Sequence, residues 1–238
     1  DSHNKDVIFP YLIGQDINSR PDQSPSRMVI NFFDWDRSTA EKYKAPFDIV
    51  KQRVLPERQK IVHEASRKKG TEFFWHYDSL GKSLYEAIRP LKIVLARSRV
   101  SNLHALARIP TGIVFSDATV VFAFEGYDAF SILQSAIHTA WLERFSSTMR
   151  TDTRYTPSSC FDTFPFPKGF LLTGKARPTF ALIAEVGSRY YSHRQTVMKA
   201  DTQGLTKTYN RFHNPDDTSA DIQKLRDLNV EMDQAVTA

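Results

Sequence analysis

The feature that most constrains this chain is a central series of short apolar segments broken by turn residues. Ile93-Val94-Leu95-Ala96, Leu103 to Ile109 and Ala118 to Phe124 have strand length and composition, and Pro110, Gly112 and Asp117 punctuate them. Strands separated by turns instead of by helices make a small, mostly antiparallel sheet. Helical spacing flanks this region on both sides, so the expected fold class is α+β, a sheet packed with helices and followed by a helical C-terminal element.

On the N-terminal side, Met28-Val29-Ile30-Asn31-Phe32-Phe33 reads as a buried strand, and Ser38 stands three residues before Glu41 at capping-box spacing. Phe47 to Leu55 resumes helical periodicity after Pro46. Glu57 to Gly70 reads as a basic helix with Ile61 and Val62 as a thin apolar stripe, and Ser83 to Ile88 as a short helix. Beyond the sheet, Phe130, Leu133, Ile137, Trp141 and Phe145 recur at helical spacing, marking one amphipathic helix from Asp128 that covers a sheet face. On it, Ser135 and His138 are read as packing residues. Pro157, Pro165 and Pro167 then interrupt regular structure, and Tyr155, Phe161, Phe164 and Phe166 make an extended strap anchored by aromatic burial. Phe180, Ile183, Val186, Tyr190 and Val197 define one C-terminal helix. Ile222, Leu225, Leu228 and Met232 define another, behind Thr218 as its cap.

With 238 residues, 41% of them hydrophobic, the chain can bury the core of one large domain or two smaller ones. The single cysteine, Cys160, excludes an internal disulfide and a zinc site built from several thiolates. Runs such as Thr119 to Phe124 are far too short to cross a bilayer and no signal segment opens the sequence, so the expected location is the cytoplasm, with no membrane partner. The chain opens on Asp1 and stops at Ala238 within a helical pattern, and it is expected to be an excised fragment.

Chemistry-bearing motifs are scarce. The nine glycines form no spaced cluster able to cradle a cofactor. Adenine-amino methylation needs an Asn/Asp-Pro-Pro-aromatic loop, and the nearest string, Asn214-Pro215-Asp216-Asp217, reads as a turn. Asp34 and Asp36 precede a helix and are read as capping residues in preference to a metal pair. The seven histidines lack metal-ligand spacing. The expectation is therefore a chain with no catalytic, cofactor-binding or metal-binding residue of its own.

Charge distribution is more informative than the net charge of +5. From Ala87 to Ser116 there is no Asp or Glu, while Arg89, Lys92, Arg97, Arg99, His104 and Arg108 are present. Within it, Arg97-Ser98-Arg99-Val100-Ser101-Asn102-Leu103-His104 alternates polar and apolar residues. On a strand this would project Arg97, Arg99, Ser101 and the turn residue Asn102 from one face. Arginine to guanine and asparagine to adenine are pairings that read a major groove. An ordinary polar sheet face has the same pattern, so both readings stand at this point. Candidate phosphate contacts are Arg58, Lys60, Arg67, Lys68 and Lys69 on the basic helix, for which a solvated face is the alternative, together with Arg89, Lys92 and Arg108.

Three sets of strings resemble the MmeI-like family of combined restriction and methylation enzymes. The first is Tyr11-Leu12-Ile13-Gly14-Gln15-Asp16-Ile17-Asn18 with Val29-Ile30-Asn31-Phe32. The second is Val114-Phe115-Ser116-Asp117, then Leu133-Gln134-Ser135-Ala136-Ile137-His138 and Trp141, closed by Arg154-Tyr155-Thr156-Pro157 and Phe161-Asp162-Thr163-Phe164-Pro165-Phe166-Pro167. The third is Gly204-Leu205-Thr206-Lys207-Thr208-Tyr209-Asn210. The resemblance implies a DNA target recognition domain over residues 1–167 and a helical C-terminal domain over 168–238. It implies a parent enzyme whose upstream domain transfers a methyl group from S-adenosylmethionine to adenine N6, with a nuclease as an optional addition further upstream. It also raises Arg97, Arg99, Ser101, Asn102 and His104 as a base-reading group. Double-stranded DNA and the upstream methyltransferase domain are the implied partners. No catalytic or cofactor position carries over. The rival readings are a stand-alone specificity subunit, which a lack of internal repeats disfavours, a protein-interaction scaffold using the aromatic strap, and a self-contained hydrolase or nuclease using His and Asp residues brought together in space, whose activity is not expected in this chain.

Overall fold

The computed structural model describes residues 2–149, 152–170 and 180–238. After a short 3-10 turn, strand β1 (Ile8–Leu12) leads into helix α1 (Gly14–Ser19) and strand β2 (Arg27–Ile30). Five helices follow: α2 (Arg37–Ala40), α3 (Lys44–Arg53), α4 (Leu55–Gln59), α5 (Glu64–Glu72) and α6 (Lys82–Ile88). Strands β3 (Ile93–Ser98), β4 (Val100–Ser101), β5 (Ala107–Pro110), β6 (Val114–Phe115) and β7 (Thr119–Phe122) come next. Helices α7 (Tyr127–Gln134) and α8 (Ala136–Phe145) precede strands β8 (Ser147–Met149) and β9 (Asp152–Arg154) and helix α9 (Pro157–Cys160). The chain ends in α10 (Ala181–Ala200), α11 (Leu205–His213) and α12 (Ala220–Thr237). The class is α+β with small antiparallel sheets, as the turn-broken strands imply.

The chain divides into two compact units. Unit 1 gathers residues 1–11, 26–86 and 112–114; unit 2 gathers 12–25, 87–111 and 115–238. This cut differs from a boundary at 167, because the C-terminal helices fall in the same compact unit as the central sheet.

In unit 1, β1 and β2 pair antiparallel with Ile8 opposite Ile30, and helices α2 to α6 accompany them. Val7, Phe32, Phe47, Phe74 and Trp75 form the core. The expected buried strand is here a correction: β2 stops at Ile30 and lies at the sheet edge with Met28 exposed, while Phe32, beyond the strand, is the residue that enters the core. The helix start falls at Asp36, whose carboxylate accepts from Thr39 N at 2.7 Å, so a capping carboxylate serves where the Ser38 spacing pointed. The basic helix expected over 57–70 is two helices, α4 and α5. Ile61 and Val62 fall in the break between them, Val62 being 95% exposed.

In unit 2, β3 is the central strand of the sheet β5-β3-β7, with Leu95 opposite both Arg108 and Phe122. Leu95, Phe122, Phe130, Tyr155, Tyr190 and Leu225 belong to one apolar cluster that joins sheet, strap and C-terminal helices. The single helix expected from Asp128 is two, broken at Ser135, whose hydroxyl donates to Ile132 O and accepts from His138 N at the start of α8. The stripe turns outward there, and Ile137 and Phe145 are exposed. Ser135 and His138 are fully buried packing residues, as read from the sequence. The residue preceding α12 is Ser219, one position after Thr218. Among the described residues, no helix is long and apolar enough to cross a membrane and no group of His, Cys, Asp or Glu has the arrangement of a metal site.

Candidate nucleic-acid interface

The acid-free segment runs from Ala87 through β6, and its alternation does not sort polar side chains to solvent. Strand β3 is buried on both faces: every residue from Val94 to Ser98 is covered. A central strand covered on both sides has no outward face. Arg97 is therefore a correction; it is 1% exposed and committed internally. Its Nε donates to Ser98 O at 3.0 Å, Nη2 to Leu103 O at 3.3 Å and Nη1 to His104 Nδ1 at 2.6 Å, and its guanidinium lies 4.9 Å from the Tyr155 ring centre. Burial lowers its pKa to about 10, so it stays cationic at neutral pH.

His104 is likewise corrected. Its Nε2 lies 2.6 Å from Leu133 O, which can only accept, so Nε2 carries the proton and Nδ1 accepts from Arg97. Both ring nitrogens are used. Burial, followed by the Arg97 charge, holds its pKa well below the ordinary histidine value. His138 is held down to about 3 by the same two causes. Ser101 is buried and accepts from Leu103 N at 3.1 Å and Asn18 Nδ2 at 3.4 Å.

Three of the five base-reading candidates keep some exposure to solvent, Arg99, Asn102 and His104, and of these His104 has both ring nitrogens engaged. Asn102 is exposed on the loop after β4. Arg99 is half-buried in the bend between β3 and β4; its backbone is tied to Ala118 O and Tyr155 N, while its Nε has no hydrogen-bond partner among the described residues.

The phosphate candidates divide in the same way. Arg58 turns inward in unit 1, donating to His76 O at 2.6 Å and Gly70 O at 3.4 Å, so it staples that unit's helices. Arg108 donates to Glu125 O at 2.5 Å and stacks 3.9 Å over Tyr127. Lys60 is exposed and pairs with Glu57 at 2.6 Å. Arg67, Lys68 and Lys69 are exposed on α5, and Arg89 and Lys92 are exposed ahead of β3.

In unit 2 a cleft of about 400 Å³ brings Arg97, Ser101, Asn102 and His104 onto one wall and Tyr209, Asn210 and Asp233 of α11 and α12 onto another. Sequence reasoning missed Gln134 and Tyr209, which line it, and Arg194, which lies behind them and donates to both. One signal was present. Arg194 stands in the apolar register of α10, four residues after Tyr190 and three before Val197, where a cation must find internal acceptors. The aromatic strap packs inward: Tyr155 and Phe164 are buried, and Phe161 and Phe166 pack against the core clusters. This leaves the scaffold reading without an exposed aromatic surface there.

Residues 86–168 match the MmeI target recognition domain. The matched MmeI range starts beside the acid-free segment and holds β3 to β9, α7 to α9 and the strap from Tyr155 to Pro167. A solved structure of the type IIL restriction-modification enzyme MmeI in complex with DNA superposes with a TM-score of 0.69 at 16% identity, covering 99% of this chain and 28% of the MmeI chain. The shared fold thus extends beyond the matched MmeI domain, over a chain that spans about 28% of that enzyme's length. No curated protein matches the sequence.

Proposed function

We propose that this chain reads the sequence of duplex DNA for a larger restriction-modification enzyme, one whose methyltransferase domain modifies adenine N6 from S-adenosylmethionine. The observation that carries this reading is the coincidence of the MmeI recognition-domain match with the acid-free segment, in a fold shared with an enzyme solved on DNA. Cations free of internal partners supply the sequence-independent attraction to phosphate, and side chains at base edges supply discrimination. Arg89 and Lys92 are the proposed phosphate contacts of unit 2, and Arg67, Lys68 and Lys69 those of unit 1. Arg99 and Asn102 are the proposed base readers.

S-adenosylmethionine does not fit the residues described. Gly14 and Gly126 each lead from a strand into a helix; a Cβ on Gly14 would lie 2.6 Å from Ser98 Oγ and 3.0 Å from Ala118 O, and one on Gly126 would lie 2.0 Å from Asp128 Oδ1. Both glycines serve close internal packing and leave no cradle, so methyl transfer is assigned to the parent enzyme and no step of it to this chain.

Fluorescence anisotropy with labelled duplex tests the reading. The logarithm of the binding constant should fall linearly with the logarithm of salt concentration, and replacing Arg67, Lys68 and Lys69 together by Ala should reduce the steepness of that line by roughly 0.9 for each phosphate those side chains neutralise. Arg99→Ala or Asn102→Ala should relax selectivity at one base pair by about 1–3 kcal/mol. Binding that is indifferent to salt, or absent at low ionic strength, would overturn the assignment.

A further inference from the structure

Between β4 and β5 the chain has no ladder of its own, so the backbone of residues 102–106 must find other partners or be left unsatisfied. Side chains supply them from three directions. Arg97 on β3 donates to Leu103 O. The Gln134 amide, in the last turn of α7, spans the loop: its Nε2 donates to His104 O at 3.0 Å and its Oε1 accepts from Leu106 N at 2.9 Å. Arg194 on α10 donates through Nη2 to Leu106 O at 2.5 Å and through Nη1 to Gln134 Oε1 at 3.4 Å and Tyr209 OH at 3.0 Å.

Arg194 is fully buried, and no carboxylate lies within ion-pair reach of it among the described residues. A sealed cation without a counter-ion is costly, and an apolar side chain of similar volume commonly serves stability as well or better. What the guanidinium does that an apolar side chain cannot is hold three acceptors at once. Two belong to the loop and its Gln134 clamp; the third, Tyr209, belongs to the opposite wall of the cleft. One side chain thereby fixes both walls around Asn102.

We propose that Gln134 and Arg194 are positioning residues for base readout, holding the loop that presents Asn102, so that helix α10 is part of the specificity apparatus. This rests on the reading of the chain as a duplex-recognition element. The experiment is selection of the full chain on a randomised duplex pool, followed by affinities for the selected consensus and for unselected duplex, with thermal melts of every variant. Wild type should enrich a consensus. Arg194→Met and Gln134→Met should retain binding to unselected duplex, with the same salt slope, while the consensus-to-unselected ratio falls about tenfold or more. Asn102→Ala should then add little to either variant, because the three act on one contact. Should Arg194→Met not fold, Gln134→Met decides the question. A folded variant that selects the wild-type consensus with an unchanged ratio overturns the positioning role and leaves duplex recognition standing. A wild-type chain that enriches nothing overturns both.

Discussion

At the residue scale, the polar cluster under the cleft is governed by desolvation. His138 is buried with a pKa near 3, whereas an unfolded histidine titrates near 6.5. Above about pH 6.5 both states are neutral at this position and it adds no slope. Below it the unfolded state takes up a proton that the folded state refuses, so stability falls by about 1.4 kcal/mol per pH unit until the pH approaches the folded value. His104, also held low, acts in the same direction. Asp217, lowered to about 2 by its Ser219 hydrogen bond and then by Arg211, loses its contribution only as pH falls through its unfolded value of 3.8 and below, so the windows are separable. Urea denaturation from about pH 7.5 to about pH 5 should show this loss, and His138→Gln should remove about one proton's worth of slope; an unchanged slope would contradict the assignment. The same cluster shows where residue roles were legible. Composition marked the segment, since cations without acids are visible in sequence. Alternation could not separate Arg97 from Arg99, because whether a strand has a solvent face depends on what covers it.

At the element scale, glycines set how closely helices approach. A Cβ on Gly187 of α10 would lie 1.9 Å from Ser131 Oγ and 2.9 Å from Tyr127 O, and the Ser131 hydroxyl already bridges Tyr127 O and Ile183 O. Gly187→Ala must push α10 from α7, and a loss of about 1–3 kcal/mol in a thermal or urea melt is expected. A Cβ on Gly204, before α11, would meet the Ser19 carbonyl carbon at 2.3 Å and Asn18 O at 2.5 Å. Those are backbone atoms that cannot rotate aside, so Gly204→Ala should cost more than Gly187→Ala; the reverse order would show that α11 shifts freely. Elements with strong periodicity, α3, α10 and α12, were legible because their apolar spacing reflects real burial. The break at Ser135 was not, because Ile137 and Phe145 continue the helical spacing while pointing to solvent. The edge position of β2 depends on strand order, which no local pattern encodes.

At the scale of the whole molecule, the two compact units are woven from alternating pieces of chain, which is why no composition shift marks them. Residues 12–25 separate two stretches of unit 1, and 112–114 return to it from near the end of the acid-free region. Pairings of this kind are non-local and invisible to a window of sequence. Each unit nonetheless has its own apolar cluster: Phe32, Phe47, Phe74 and Trp75 in one, Leu95, Phe130, Tyr190 and Leu225 in the other. Separate cores carry separate cooperative free energies when local opening is measured. Phe47→Ala removes a buried ring that contacts Phe32, Phe74 and Trp75, a change worth about 3–5 kcal/mol and hence a large share of a domain's stability. Hydrogen exchange should then rise across residues 26–86 while the segments 87–111 and 180–238 keep their protection. Because Asn102, Gln134 and Arg194 all lie in unit 2, the selected DNA consensus should survive the same substitution, and affinity should drop only by the share that α5 cations contribute. If protection disappears equally throughout and the consensus goes with it, the two units fold as one cooperative body, and base readout depends on the core around Phe47 as much as on its own.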